Sequence, residues 1–149
     1  MSEEYTFTYG MRIEASREIV FSYFTDPVKM ARWMGISHKL DAVPGGGFVV
    51  DVNPEATVIG EFVEVEPPRR LVFTWGWRDS TAVPPGSTTI EVNLTEDAGA
   101  TLLSFTQRGL PDRDQLDQHA HGWSHFMARL QVAGAGGDPG PDPMAQVQR

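Results

Sequence analysis

From Tyr5 to Ile13 the chain alternates. Tyr5, Phe7, Tyr9, Met11 and Ile13 fall on one side; Thr6, Thr8, Gly10 and Arg12 fall on the other. A period of two predicts a strand with one buried face. Ser16 then offers a hydroxyl as a helix N-cap, and Val20, Phe21 and Phe24 follow at helical spacing. Asp26-Pro27 predicts a second short helix. Asp caps it, and Pro fits the first turn, where a missing N–H costs nothing. Ala31, Trp33 and Met34 belong to it, and Gly35 ends it. Six more strands are predicted, at 38–43, 48–52, 57–66, 70–77, 88–95 and 101–107. Short turns between neighbours imply antiparallel pairing.

After Gly109-Leu110-Pro111 the period becomes helical. Leu116, Trp123, Phe126, Met127 and Leu130 form one stripe of a long helix from Asp112 to about Ala133. Asp112 and Asp114 sit in its first turn, where negative charge suits the helix dipole. From Gly134 the chain reads GAGGDPGPDPMAQVQR. So rich in Gly and Pro and so poor in apolar side chains, this stretch is expected to be a disordered tail. The expected organisation is one α+β domain over 1–133 and a tail over 134–149. A curved antiparallel sheet of about seven strands needs its apolar face covered, and only the C-terminal helix is long enough to cover it. A helix across a strongly curved sheet leaves a space beneath it, which the two short helices would close at one end.

Composition narrows the function. The 149 residues carry 40% apolar side chains and a formal net charge of -8. That length suits a single core. No basic stripe is present to meet phosphates, which argues against nucleic acid and against an anionic membrane surface. With no cysteine, disulfides and thiolate metal sites are excluded. The start, MSEEYTFTYG, lacks the basic and apolar regions of a signal peptide, and no apolar run approaches a membrane span. The expected location is the cytoplasm.

Two stretches carry the candidate chemistry. In RLVFTWGW, residues 70–77, Leu71, Phe73, Trp75 and Trp77 share one face by period two. Such an aromatic wall is either core packing or the side of a hydrophobic pocket. Two neighbouring indoles favour the pocket, because their N–H groups need partners when buried. The second stretch, DQHAHGWSHFMARL, holds His119, His121 and His125. His119 lies four before Trp123, on the inward stripe. His121 and His125 share another face, nearer to solvent. Four-residue spacing suits two zinc ligands, but no Glu stands between them as base and no cysteine completes a site, so no metal is expected. His119 is expected to hydrogen-bond a ligand or a backbone carbonyl. No nucleophile elbow is present, and Ser124 cannot face its neighbour His125 on a helix. Glu64 is a candidate cavity carboxylate if it shares the phase of Phe62. The glycines at 45–47 precede a strand, so they are not a phosphate loop.

Several segments together resemble a known family: IEASREIVFSYFTDP (13–27), RWMG (32–35), GGGF (45–48), GEFVEVEPPRRLVFTWGW (60–77), STTIEVNLTE (87–96), TLLSFTQRGLP (101–111) and HAHGW (119–123). The chain is similar to stand-alone proteins like the C-terminal domain of the heat-shock-protein-90 ATPase activator, in the START/Bet v 1-like helix-grip superfamily (SRPBCC). The resemblance covers about residues 5–131. It implies a β-α-α-β6-α grip with a deep hydrophobic cavity between sheet and long helix. Superfamily members bind lipids, polyketides, plant hormones and flavonoids, and some are aromatases or cyclases. Its HxxGW pattern stands here as His119 to Trp123 and implies that both face the cavity, with Gly122 letting the helix approach the sheet or bend. The eukaryotic activator engages its chaperone through an additional N-terminal domain. None is expected before Tyr5, so chaperone activation does not carry over with the name.

The leading expectation is a non-enzymatic protein that binds a small hydrophobic or aromatic molecule, with no cofactor and no metal. The expected lining is Phe24, Trp33, Phe62, Phe73, Trp75, Trp77, Phe105, His119, Trp123, Phe126 and Met127. One alternative is a cyclase- or aromatase-type enzyme using His119 as general acid–base, since imidazole titrates near working pH. Another is a chaperone-interaction module of the stress-response kind, as monomer or homodimer.

Overall fold

A computed structural model of the chain describes residues 5–145. The elements run β1 (Tyr5–Ile13), α1 (Arg17–Thr25), α2 (Pro27–Met30), β2 (Ser37–Leu40), β3 (Gly47–Asn53), β4 (Ala56–Glu66), β5 (Arg70–Trp75), β6 (Thr88–Asp97), β7 (Ala100–Leu110) and α3 (Arg113–Gly134). The caps are those the sequence offers. Backbone N–H groups of Ile19, Val28 and Gln115 donate to the side chains of Ser16, Asp26 and Asp112. α2 ends at Met30 with Ala31 as its C-cap, earlier than the expected stop at Gly35. Turns carry the chain through Ala31–Met34 to Gly35, which at φ +85° occupies the left-handed region that glycine adopts without strain.

The strands form one sheet in the order β1-β7-β6-β5-β4-β3-β2, with every pair antiparallel. With α3 as the long C-terminal helix and two short helices after β1, this is the α+β helix-grip architecture expected from the sequence. The second strand stops at Leu40 rather than Val43 and the last runs on to Leu110; two further differences bear on the site. β5 stops at Trp75 because the ladder is interrupted at Gly76; Trp77 pairs with Val58 in an isolated bridge, and its backbone N–H donates to the Val83 carbonyl at 2.8 Å. In β4 the register against β5 slips between Phe62 and Glu64, the mark of a bulge. Phe62 therefore faces the core, whereas Glu64 is exposed and accepts from Arg70 Nε at 2.7 Å. The candidate cavity carboxylate lies outside the cavity, because one inserted residue reverses the phase that an unbroken strand would have kept.

The core is aromatic. Phe48 stacks on Phe73 at 4.5 Å between ring centroids and meets Phe62 edge-on at 5.7 Å. Trp75 continues the row to Trp123 at 4.7 Å, and Trp123 to Phe105 at 4.5 Å. At its C-terminal half α3 is tied down. Tyr23 Oη donates to the Ala133 carbonyl at 3.0 Å, Trp33 Nε1 to the Tyr23 carbonyl at 2.9 Å, and Arg129 Nε to the Trp33 carbonyl at 3.2 Å. The short helices thus close one end of the grip, and the N-terminal half of α3 is left to border an open space.

The Gly/Pro-rich stretch expected to lack fixed structure has partners as far as Ala145. Gly134 is the last residue of α3, and the chain then turns back along that helix. Arg129 Nη2 donates to the Gly140 carbonyl at 3.0 Å, and His125 Nε2 lies 2.7 Å from Asp142 Oδ1. Met144 packs against the core. One buried carboxylate beside His125 and Arg129 supplies an anchor that composition and periodicity do not register. Residues 146–149 of the expected tail lie outside the described residues.

Candidate functional site

Between the N-terminal half of α3 and the sheet lies a cavity of about 830 Å³. Its apolar wall is Trp75 and Trp77 at the end of β5, with Trp123 and Phe126 from α3. His119 stands beside Trp77. Trp75 and Trp77 meet edge to face at 5.5 Å, so the two indoles form a corner. The β3–β4 hairpin adds Val52, Asn53, Glu55 and Ala56, and the returning tail adds Met144. Gln115, Gln118, His121 and Ser80 supply further polar groups. Exposed Glu55, Gln118 and His121 set a polar margin.

Of the residues expected to line the cavity, Trp75, Trp77, His119, Trp123 and Phe126 come together there. The others do not border it. Phe62, Phe73, Phe105 and Met127 are fully buried in the packed core behind the wall. Phe24 and Trp33 stack edge to face at 5.3 Å at the closed end, far along α3 from His119. Period two and period 3.6 mark which residues face inward, but not whether the inward space is filled. The hairpin residues and Met144 escaped the sequence reading because they sit in a turn and a tail with no periodic signal. Gln115 and Gln118 escaped it because polar positions on a helix ordinarily read as solvated.

The polar groups of the site are arranged in two chains. The first holds His119. Its Nδ1 lies 2.8 Å from the Gln115 carbonyl, which only accepts, so Nδ1 carries the proton. Nε2 then accepts from Trp77 Nε1–H at 3.1 Å. Both ring nitrogens are engaged, and the imidazole is neutral. Burial holds its pKa below the ordinary value of 6.5, opposed by the hydrogen bond to the Gln115 carbonyl, which favours the charged form. Protonation at Nε2 would also set two donors against each other. The second chain is buried. Trp123 Nε1 donates to Gln107 Oε1 at 2.8 Å, Gln107 Nε2 to Thr88 Oγ1 at 3.0 Å, and Thr88 Oγ1 to the Trp75 carbonyl at 2.7 Å. Strand β7, strand β6 and helix α3 are thereby joined through the wall of the cavity.

A lowered histidine pKa has a consequence for stability. The unfolded chain takes up the proton near 6.5, whereas folded His119 takes it up at lower pH. His119 therefore contributes stability that is complete above 6.5 and is lost as pH falls from 6.5 toward the folded value. Urea midpoints measured across this window are expected to fall on acidification less steeply in His119→Gln than in the wild type. Parallel slopes would remove His119 as the source.

Gly122 has a different role from the expected one. A Cβ added there meets nothing within 4 Å, so close approach of helix to sheet does not require glycine. Gly122 instead leaves open space where α3 borders the cavity. His125 is occupied by Asp142. Among the described residues no group of three or more His, Cys, Asp or Glu is gathered to hold a metal ion. No helix among them is long and apolar enough to cross a membrane.

Comparison with known proteins gives a consistent kinship. The family of activator of Hsp90 ATPase homolog 1-like proteins matches residues 14–134. An AHSA1-like protein from Rhizobium etli, known from a solution NMR structure, is 41% identical; the match covers 95% of this chain and 88% of that chain at a TM-score of 0.77. DynU16, from the dynemicin biosynthetic locus, is 27% identical over 90% of this chain and 48% of its own, with a TM-score of 0.75. An uncharacterized protein of Schizosaccharomyces pombe is 28% identical over 116 residues, 74% of this chain. The chain spans about 30% of that relative's length.

Proposed function

This chain belongs to the family of activator of Hsp90 ATPase homolog 1-like proteins, and on that premise we propose that it binds a small, flat, largely aromatic molecule without chemically changing it. The observation that carries this reading is the cavity of about 830 Å³ cornered by Trp75, Trp77 and Trp123. Sites for small organic ligands fall in the range of about 300–1,000 Å³ and combine apolar walls with a few placed polar groups. Flat rings match indole faces, and stacked or edge-on aromatic pairs add about 0.5–1.5 kcal/mol beyond area burial. The place of DynU16 in the dynemicin biosynthetic locus fits a small-molecule ligand.

The acid–base alternative for His119 has weaker support. A general base needs a free lone pair toward the substrate. In this site the Nε2 lone pair is taken by Trp77 and the Nδ1 proton by Gln115. A chaperone partner is supported by the family's name, with no surface feature among the described residues that favours it.

Titration with flavone is expected to quench tryptophan fluorescence saturably, because three of the four indoles line the cavity. Calorimetry should give a negative heat-capacity change. Gly122→Leu places a side chain in the open space at the wall and should abolish quenching while the unfolding midpoint holds or rises. Quenching that is absent, or that survives Gly122→Leu undiminished, overturns the assignment of this cavity.

A further inference from the structure

Three of the four indole N–H groups have acceptors: Trp33 the Tyr23 carbonyl, Trp77 the His119 ring and Trp123 the Gln107 amide. The fourth does not. Trp75 is 2% exposed, and its Nε1 has less than 1 Å² open to solvent and no hydrogen-bond partner among the described residues. A buried donor left unpaired costs about 1–3 kcal/mol, the desolvation of the N–H with nothing regained. Its neighbours supply no acceptor. Trp77, Trp123 and Phe48 surround the ring at centroid distances of 5.5, 4.7 and 6.1 Å, and none offers an oxygen.

The rest of the site is economical with polar atoms. Gln107, buried and adjacent, spends its carbonyl on Trp123 and an amide hydrogen on Thr88. His119 spends both nitrogens. Trp75 Nε1–H is thus the unspent donor of the inner wall, on a residue that borders the cavity.

We propose that Trp75 Nε1–H is the polar anchor of the cavity, taking a neutral acceptor oxygen, such as a ring ketone, carried by the bound aromatic molecule. This rests on the binding function proposed above and narrows it. The ligand class is a flat aromatic ketone rather than a fatty acid or a plain hydrocarbon. A carboxylate is disfavoured at that depth, because no cation lines the inner wall and the neutral His119 brings none. Trp75 borders the cavity while its Nε1 is buried, so the proposed bond requires the indole to shift as the ligand enters.

The test compares flavone with 2-phenylnaphthalene, which has the same ring footprint and no acceptor oxygen. Each is titrated into the wild type and into Trp75→Phe, which removes the donor and keeps an aromatic ring. Wild type should prefer flavone by about five- to tenfold, the worth of one neutral hydrogen bond. Trp75→Phe should erase that preference while still binding 2-phenylnaphthalene. Trp33→Phe, which removes an indole donor spent on the Tyr23 carbonyl away from the cavity, should keep it. If both compounds bind but the preference is missing, or persists in Trp75→Phe, the anchor is overturned and the cavity assignment stands. If neither compound binds the wild type, both fall together.

Discussion

Trp123→Ala is expected to lower the unfolding free energy by about 3–5 kcal/mol, the range for truncating a buried aromatic. The ring is 3% exposed and lies between Trp75 and Phe105. Its loss leaves a void where three elements meet. It also strands Gln107 Oε1, which is buried and accepts from Trp123 Nε1. Trp123→Phe separates the two effects: it keeps most of the packing and should cost about 1–3 kcal/mol for the orphaned acceptor. Urea denaturation reads both. For a domain whose total stability is about 5–15 kcal/mol, the alanine variant stands near the limit of folding. A cost below 1 kcal/mol for either variant would show that the Trp123–Gln107–Thr88 chain does not hold the helix to the sheet.

That chain also shows which parts of the site the sequence discloses. The alternation of β1, the caps at Ser16, Asp26 and Asp112 and the stripe on α3 are local signals, each set by contacts within a few residues. They suffice for the order and type of the strands and α-helices, but not for the short 3-10 turn at Pro143–Ala145, which lies in the stretch expected to be disordered. Four-residue spacing and a family resemblance put His119 and Trp123 on the cavity side, and both border it. What local signals do not carry is the boundary between packed core and open space. Phe73 and Trp75 are two residues apart on one face; one stacks on Phe48 and the other reaches the cavity. Phe48, contributed by a strand two places away in the sheet, stacks on Phe73 at 4.5 Å and meets Trp75 only at 6.1 Å, tilted. Glu64 was misplaced for a related reason, since the bulge after Phe62 is fixed by pairing with β5 and leaves no composition cue. Asp142 is the extreme case: one of two aspartates in a Gly/Pro-rich stretch, it meets His125, 17 residues away on α3, with no local signal to mark the contact.

Gly76→Ala is expected to damage the site from a position with no side chain at all. The Gly76 carbonyl accepts from Ile59 N–H at 2.8 Å on one side. On the other side the segment 83–85 crosses so closely that an added Cβ would overlap the Pro84 carbonyl and lie 2.7 Å from Pro85 Cα. These are backbone atoms, and backbone cannot turn aside as a flexible side chain would. Relief requires lifting the Pro84-Pro85 segment, which breaks the bond from Trp77 N–H to the Val83 carbonyl. Trp77 then loses its anchor, and its indole no longer holds the His119 ring at 3.1 Å. The stability loss should reach or exceed the about 1–3 kcal/mol typical of overpacking. Flavone quenching should weaken in whatever fraction remains folded, because one side of the indole corner has moved. Gly122→Ala is the matched comparison, since its Cβ meets nothing within 4 Å. There, helix propensity predicts a gain of about 0.5–1 kcal/mol instead. An equal urea midpoint for Gly76→Ala and wild type would show that the crossing segment is not pressed against the end of β5, and that Trp77 is held in the cavity wall by His119 alone.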